Sequence, residues 1–466
     1  MPRTNLSRRQ FVGTAAATAI VTTAVTRDAS ANTGRRTTNA QTFAGKTVRV
    51  ATNDAELGNG VDAQVAAFTA ATGATIEVIK IPASDFESKI TTDLSSGTGA
   101  FDVVIEPFIT MQGHAAAGFL VPLEDRIAAD ATIDIPDFVP LLFDNMAKLD
   151  GQIYALPYKA DAYIFFHRTD LFADPALQQA FAAQNAGMTL KVPETAEELV
   201  ATARFFSQKF NPDSPTEFGW NHMAESGTSA NWIWASRLAA LGGGYLTPDY
   251  QPNFDNEAGQ RALEIAAQLN ECSSPEVGSF GWDEANTAFL NGRVAMMEQW
   301  PGLSKLAETP EGFYGTSAVV GKTGYAVPAG VTVNGETVKS SILGGWVAAI
   351  SSFAQDQDLA YATIAFLTGK EGEPLKIASG NDPCRNSTYA NPEIANANPL
   401  YPVLQECLQQ ARITADVSAP PVGFELQTVM GQHFNGAWIG DEPTDGLLTT
   451  IVEEWSGILE RSGLQR

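Results

Sequence analysis

Histidine and cysteine are scarce in this chain of 466 residues, which contains only four histidines and three cysteines. The histidines are scattered, and the cysteines have neither zinc-ligand nor redox spacing, so no metal centre is expected. The chain also lacks a G-x-S-x-G elbow, an H-E-x-x-H pair, a G-x-x-x-x-G-K-[ST] loop and a G-x-G-x-x-G turn. These absences argue against the corresponding classes of enzyme, and we expect no cofactor.

Positive charge is in the minority, because 29 Lys and Arg residues stand against 53 Asp and Glu residues, for a net charge of −24. An acidic surface repels nucleic acid and anionic membranes, so neither is an expected partner. With 44% hydrophobic and 18% charged residues, the chain has a normal globular composition and the length of two or three domains. An ordinary soluble acidic protein and a protein of a salt-adapted host both fit these values.

Long hydrophobic runs are missing, and the amino-terminal apolar stretch is short and mild. Arg8 and Arg9 precede the weakly apolar residues 12–25, and Ala29-Ser30-Ala31 offers an A-x-A cleavage site. Residues 1–31 therefore resemble a twin-arginine (Tat) signal peptide. No cysteine lies near the cleavage point, so a lipid anchor there is not expected. We expect a soluble periplasmic protein in which residues 32–44 form a flexible leader.

The three cysteines, Cys272, Cys384 and Cys407, would all remain after cleavage. In an oxidising compartment two of them could pair, and Cys384 and Cys407 are closest in the sequence, in a loop-rich region. A disulfide between these two is one interpretation. Three buried free thiols are the other.

Alternating strand and helix patterns predict an α/β fold. Strand patterns at residues 46–53, 75–81 and 101–105 are separated by two amphipathic helical patterns, which predicts a parallel sheet with right-handed crossovers. Further along, residues 278–302 predict a helix, a turn at Gly292 and a short buried strand that ends at an exposed Trp300. We expect this strand to return the chain to the first lobe.

Several short motifs occur in an order and at spacings that resemble one family. The chain resembles the extracellular solute-binding proteins of ABC importers, in the carbohydrate-binding group related to maltose-binding protein. The resemblance covers essentially the whole mature chain and rests on residues 101–104 (FDVV), 118–123 (GFLVPL), 151–157 (GQIYALP), 289–297 (FLNGRVAMM), 344–346 (GGW) and 383–385 (PCR).

This resemblance implies a periplasmic-binding-protein fold with two discontinuous α/β lobes, a hinge of two or three crossing segments and a ligand cleft between the lobes. It places residues 45–158 and 295–328 in the amino-terminal lobe. Residues 159–294 and 329–466 then form the carboxy-terminal lobe. The implied partners are a small solute and the membrane subunits of an ABC permease. We expect the binding protein itself to be a monomer.

The resemblance also carries family positions onto residues of this chain at the predicted cleft. They are Asn53, Asp54, Glu106, Phe108, Asp161, Trp300, Gly345, Trp346 and Arg385. The chain has no clear counterpart of the aromatic subsites that bind long maltodextrins, and its Gly-Gly-Trp and Pro-x-Arg pieces look more like those of binders of small sugars, disaccharides or polyols.

The residue types suit a neutral sugar or polyol. A sugar has an apolar C–H face, which packs on aromatic rings, and a rim of hydroxyls, which carboxylates bind through charge-assisted hydrogen bonds. Trp220 and Trp232 fall in or beside loops and join the candidates. Arg385 could equally pair with a nearby acid. We predict a binding component without catalytic residues. A glycoside hydrolase, which needs only two carboxylates, remains an alternative, as does a binder of an anion or a metal complex.

Overall fold

The computed structural model describes residues 42–54, 56–312 and 314–465. The predicted signal peptide and residues 32–41 of the predicted leader lie outside this part. The strands, in chain order, are β1 (Thr47–Asn53), β2 (Thr75–Ile81), β3 (Val103–Pro107), β4 (Lys148–Leu149), β5 (Gln152–Ile153), β6 (Ala155–Ala162), β7 (Ile164–Arg168), β8 (Phe218–Asn221), β9 (Val294–Gln299), β10 (Glu311–Gly312), β11 (Gly315–Thr316), β12 (Thr323–Ala326), β13 (Val331–Val333), β14 (Glu336–Val338), β15 (Ser341–Ile350) and β16 (Ala411–Thr414).

Helices surround these strands, as expected for an α/β fold. In chain order they are α1 (Glu56–Thr72), α2 (Ala83–Ser96), α3 (Phe108–Ala116), α4 (Glu124–Ala129), α5 (Pro140–Met146), α6 (Thr169–Ala173), α7 (Pro175–Gln184), α8 (Ala196–Phe205), α9 (Trp232–Ala240), α10 (Glu257–Asn270), α11 (Trp282–Leu290), α12 (Leu303–Ala307), α13 (Gln357–Leu367), α14 (Glu373–Ala378), α15 (Asn386–Tyr389), α16 (Pro392–Ala395), α17 (Leu400–Gln410), α18 (Gly423–Ile439) and α19 (Leu447–Ser462). In the part of the chain that the structure describes, no helix has both the length and the apolarity that a membrane crossing needs.

The first sheet contains the predicted β-α-β-α-β unit. Strand β1 lies between β2 and β3 and is parallel to both, which confirms the parallel arrangement read from the sequence. The long strand β15 joins this unit: one edge pairs with β3 and β16, and the other pairs with β6. Every residue of β6 is buried, and β15 is buried apart from Trp346, so these strands form the centre of the first lobe.

The second sheet has four strands in the order β12-β7-β9-β8. Strand β9 is antiparallel to β7 and parallel to β8. All six residues of β9 are buried, because the strand lies inside this sheet with helices packed against it. Gly292, at φ +72°, makes the left-handed turn that the sequence predicts between α11 and β9.

Three crossing segments connect the two sheets and confirm the two-lobed fold. The first is the single residue Tyr163 between β6 and β7, the second is residues 327–340 between β12 and β15, and the third follows β16 at residue 415. Hydrogen bonds join these segments: Ser341 Oγ donates to the Tyr163 carbonyl at 2.7 Å, and the Ala415 amide donates to the Leu343 carbonyl at 2.9 Å. The crossings therefore lie side by side, as a hinge requires.

The predicted division of the chain between the lobes differs from the observed strand pairing in two stretches after residue 294. Strands β9 and β12 lie in the second sheet, although residues 295–328 were assigned to the first lobe. Strands β15 and β16 lie in the first sheet, although residues 329–466 were assigned to the second. A strand that is buried on both faces has the same apolar pattern in either sheet, so the sequence pattern could not distinguish the two.

The predicted disulfide between Cys384 and Cys407 is also wrong, because both residues are free thiols, as is Cys272. The two side chains have different neighbours: the Cys384 sulfur lies 3.9 Å from Lys376 Nζ, whereas Cys407 lies beside Ser341. Burial raises the pKa of the Cys384 thiol to about 12. All three cysteines are buried, as the alternative interpretation expects.

Candidate functional site

Trp300 lies where the two lobes meet. It directly follows β9 of the second sheet, and its indole packs on Gly344 of β15 in the first sheet. A Cβ atom added at Gly344 would be only 2.8 Å from Cζ3 of Trp300 and 3.3 Å from Cβ of Asp161. The absence of a side chain at Gly344 therefore allows the ring to approach the backbone of the other lobe.

Three rings form an aromatic cluster around this contact, namely Trp300, Tyr163 and Trp232. The centroid of the Trp300 ring is 4.7 Å from that of Tyr163 and 5.2 Å from that of Trp232, with interplanar angles of 62° and 80°. Tyr163 and Trp232 also meet edge to face, at 5.8 Å. These are favourable geometries for aromatic pairs. Tyr163 and Trp232 are buried, whereas Trp300 is half-buried, so Trp300 is the ring that a ligand can reach.

A charged cluster lies beside the aromatic cluster, formed by Lys159, Asp161, Glu56 and Asp382. Lys159 Nζ donates a hydrogen bond to Asp161 Oδ1. It also lies 3.1 Å from Glu56 Oε1 and 3.4 Å from Asp382 Oδ2. One ammonium group thus faces three carboxyl groups. Asp161 pairs in register with Gly344 of β15, and a Cβ atom at Gly302 would be 3.0 Å from Glu56 Oε2, so the charged cluster borders residues 300–302.

Burial changes the protonation of this charged cluster. Desolvation raises the pKa of Asp382 to about 8 and that of Asp161 to about 6, although Lys159 acts in the opposite direction on both. Desolvation alone would lower the pKa of Lys159, but Asp161, Glu56 and Asp382 together raise it well above its usual value. The charged cluster therefore keeps a protonated lysine and holds a proton on an acid near neutral pH.

Trp346 and Gly345 extend the site along β15. Trp346 is half-buried and packs edge to face on Phe86, at 5.9 Å. Gly345 has φ +142°, and a Cβ atom there would be 2.4 Å from Cε of Met146. In the Gly-Gly-Trp motif, Gly344 allows the close contact with Trp300 and Gly345 the close contact with α5. Trp346 adds an aromatic side chain that is partly open to solvent.

Asp416, in the third crossing, is a residue that sequence reasoning missed. It follows Ala415, whose carbonyl accepts hydrogen bonds from Trp232 Nε1 at 3.0 Å and from the Tyr245 hydroxyl at 3.1 Å. Burial, with a smaller effect of Glu87, raises the pKa of Asp416 to about 7. Asp416 therefore places a titratable carboxyl group one residue from the carbonyl that contacts Trp232.

Five predicted site residues are brought together: Asp161, Trp232, Trp300, Gly345 and Trp346. Sequence reasoning missed Lys159, Glu56, Asp382 and Tyr163. Lys159 and Tyr163 fall within a long apolar stretch that indicated only a buried strand. The burial of a lysine in such a stretch is itself a signal, because a buried ammonium group needs carboxylate partners.

The side chains of three other predicted site residues are buried among protein groups instead. Glu106 is fully buried, and its Oε2 atom lies 2.8 Å from His114 Nδ1. Burial alone would lower the pKa of His114, but the Glu106 carboxylate raises it. Trp220 is fully buried in β8. Arg385 is fully buried, 3.9 Å from the ring centroid of Phe138, and donates to backbone carbonyls. The fold encloses all three side chains against these protein groups, and their role as ligand contacts stays a prediction.

The remaining predicted residues lie at strand ends in the first lobe. Asn53 ends β1 and is half-buried, and Asp54 is exposed, with its amide donating to the Ile81 carbonyl at 3.0 Å. Phe108 begins α3 and is buried. Asn53 and Asp54 immediately precede the segment that carries Glu56, so they lie close along the chain to the charged cluster, whereas Phe108 packs in the core.

Residues 51–374 match the family model of the bacterial extracellular solute-binding proteins, and the chain belongs to this family. A mannitol-binding protein of Pseudomonas aeruginosa is 27% identical, over 80% of this chain and 84% of the relative. A probable amino-acid ABC transporter periplasmic-binding protein of Sinorhizobium fredii is 23% identical, over 87% of each chain. The fold is similar to that of an ABC transporter solute-binding protein of Agrobacterium radiobacter K84 in complex with ribitol, with a TM-score of 0.74, 23% identity, and coverage of 89% and 99% of the two chains.

These comparisons confirm the family resemblance and the fold that the sequence motifs indicate. The chain is a two-lobed extracellular solute-binding protein of the kind that serves ABC importers.

Proposed function

We propose that this protein binds a neutral sugar or polyol between its lobes and presents it to an ABC permease. The observation that carries this proposal is the position of Trp300, a half-buried ring of one lobe that lies against Gly344 of the other and borders the charged cluster. An aromatic face next to several hydrogen-bonding carboxyl groups has the chemistry that a polyhydroxylated ligand needs.

Each part of the ligand has a proposed contact. The C–H face packs on Trp300, with Trp346 as a second aromatic wall. The hydroxyls donate to the carboxylates of Asp161 and Glu56, and Lys159 and the protonated carboxyl group of Asp382 can each donate to a hydroxyl oxygen. Hydrogen bonds to charged groups are about twice as strong as neutral ones, so a neutral ligand can be held tightly by few contacts. The mannitol-binding relative and the ribitol complex support this ligand class.

Closure of the lobes couples binding to recognition by the permease. A contact already joins the lobes: Lys305 Nζ of α12 donates to the Ser379 carbonyl at 2.8 Å. A ligand shifts the open–closed equilibrium only if it binds the closed form better. Contacts from both lobes, such as Trp300 and Asp161, meet this condition.

We also propose that the protein is exported by the twin-arginine signal of residues 1–31 and acts in the periplasm as a soluble monomer without a lipid anchor. The proposal rests on the paired arginines and the A-x-A site of the sequence. Its partners are then the solute and the membrane subunits of the permease. The absence of catalytic motifs in the sequence supports a binding role without turnover.

A thermal-shift screen tests the ligand class. Mannitol, ribitol, maltose and several monosaccharides are compared with amino acids, because one relative is described as an amino-acid binder. A ligand at 100 times its Kd raises the free energy of unfolding by about 2.7 kcal/mol. We expect a shift with at least one polyol or sugar and no hydrolysis of sugar glycosides. A shift with amino acids alone would contradict the proposed ligand class.

A further inference from the structure

A buried ion pair joins the two elements that carry the tryptophans of the aromatic cluster. Arg237 of α9 and Glu298 of β9 are 1% and 0% exposed. Two hydrogen bonds link them, from Nη1 to Oε2 at 2.5 Å and from Nη2 to Oε1 at 2.7 Å. Nη1 also donates to the Ile233 carbonyl, one turn earlier in α9. A bidentate contact of this kind fixes orientation as well as distance.

The positions of these two residues tie the ion pair to the aromatic cluster. Trp232 is the first residue of α9, and Arg237 follows it on the same short helix. Glu298 lies on β9 two residues before Trp300, which directly follows the end of this strand. The charge of Glu298 also acts on Tyr163. Burial, and then this charge, raises the pKa of the Tyr163 hydroxyl.

Stability alone is a weak reason for a chain to retain such a pair. Taking two charges out of water costs so much that well-packed apolar side chains of similar volume are often equally stable. What apolar side chains lack is the fixed geometry of two parallel hydrogen bonds. A fixed geometry between α9 and β9 matters here because the edge-to-face contact of Trp232 and Trp300 depends on the placement of these two elements.

We infer that Arg237 and Glu298 are positioning residues, which set the angle between Trp232 and Trp300 and thereby the ring face that Trp300 offers to the ligand. The inference rests on the proposed function for its effect on affinity, but the ring geometry itself can be measured without a ligand. Neither residue contacts the ligand, because both are enclosed by the second lobe.

The test is the double variant Arg237→Met/Glu298→Met, which removes both charges and keeps similar volume. The matched control is Arg49→Met/Asp102→Asn, which removes another bidentate pair, in the first sheet and away from the aromatic cluster. We expect the double variant to unfold cooperatively but to show altered near-ultraviolet circular dichroism of the tryptophans. We also expect its affinity for the ligand found in the screen to be on the order of tenfold weaker. The control keeps both properties.

A folded double variant with the wild-type dichroism and affinity would overturn the inference. If the double variant does not fold, Arg237→Lys replaces it, because this variant keeps the charge and loses the bidentate geometry. The same change in dichroism is then expected, and a wild-type spectrum overturns the inference. If the wild-type protein binds none of the sugars and polyols, the proposed function fails, and the dichroism decides the role of the pair. It is then measured in a Trp220→Phe background, because Arg237 also lies 5.8 Å from the centroid of the Trp220 ring.

Discussion

The indole of Trp300, at the end of a second-lobe strand, lies against Gly344 in the longest strand of the first lobe. A Cβ atom at residue 344 would be 2.8 Å from Cζ3 and 2.9 Å from Cη2 of the ring, closer than real Cβ atoms approach other atoms. The contact therefore depends on glycine, and it spans the two lobes. It relates the position of a candidate ligand-binding ring directly to closure.

The variant Gly344→Ala tests this relationship. The added methyl group would push the Trp300 ring away from β15, so we expect weaker ligand affinity by about tenfold, with little change in stability of the separate lobes. Isothermal titration measures the affinity. Gly113→Ala in α3 is the control, because a Cβ atom there meets nothing within 4 Å. Equal affinity for Gly344→Ala and the wild type would contradict the close contact.

The variant Trp300→Ala tests the role of the aromatic ring. Loss of a stacked aromatic residue at the centre of a binding site should weaken binding by more than about 1.5 kcal/mol. Trp346→Ala should have an effect of similar size if both rings contact the ligand. Phe210→Ala, at a ring that is 40% exposed on the second lobe, controls for loss of a surface aromatic residue. Unchanged affinity in both tryptophan variants would refute the site.

The motifs of the sequence predicted the family and the α/β class correctly, because these depend on local patterns. The ligand-binding role of Trp300 and Trp346 stays a prediction. They did not predict which sheet β9 and β15 join, since that depends on pairing between distant strands. Lys159 shows a second limit. Its role arises from Asp161 two residues away, but also from Glu56 and Asp382, which are more than 100 residues distant in opposite directions. Only the folded chain brings these groups together.

The protonation of Asp382 predicts a pH dependence of stability. Its pKa is raised to about 8 when folded, from an ordinary carboxyl value near 4 when unfolded. Between these values the folded state binds more protons than the unfolded state, so this group makes the protein less stable as pH rises from about 4 to 8. Asp382→Asn removes this contribution.

Thermal unfolding between pH 5 and pH 8 measures this effect. We expect the melting temperature of Asp382→Asn to fall less with rising pH than that of the wild type. Asp416, whose pKa burial raises to about 7, titrates in the same range, but it is present in both proteins, so the difference between the two curves isolates Asp382. Asp213→Asn, at an exposed position, is the control. Parallel curves for Asp382→Asn and the wild type would refute the raised pKa.

The variant Lys305→Ala tests a contact that holds the lobes together. Its ammonium donates to the Ser379 carbonyl across the lobes, whereas Lys322 donates to the Ala318 carbonyl within one lobe. Because Lys305 is exposed, its bond is worth about 1 kcal/mol or less. Lys305→Ala should therefore speed ligand release by a few fold in stopped-flow fluorescence, and Lys322→Ala should not. Equal release rates in the two variants would argue against a role for Lys305 in closure.

The most direct measurement of the central claim is a titration of the protein with mannitol, ribitol and maltose, followed by tryptophan fluorescence and calorimetry. We expect saturable binding of at least one of them, with a fluorescence change that is absent in Trp300→Ala. Absence of binding to all three and to the other sugars of the screen, or binding with an identical fluorescence change in Trp300→Ala, would contradict a polyol or sugar site at Trp300.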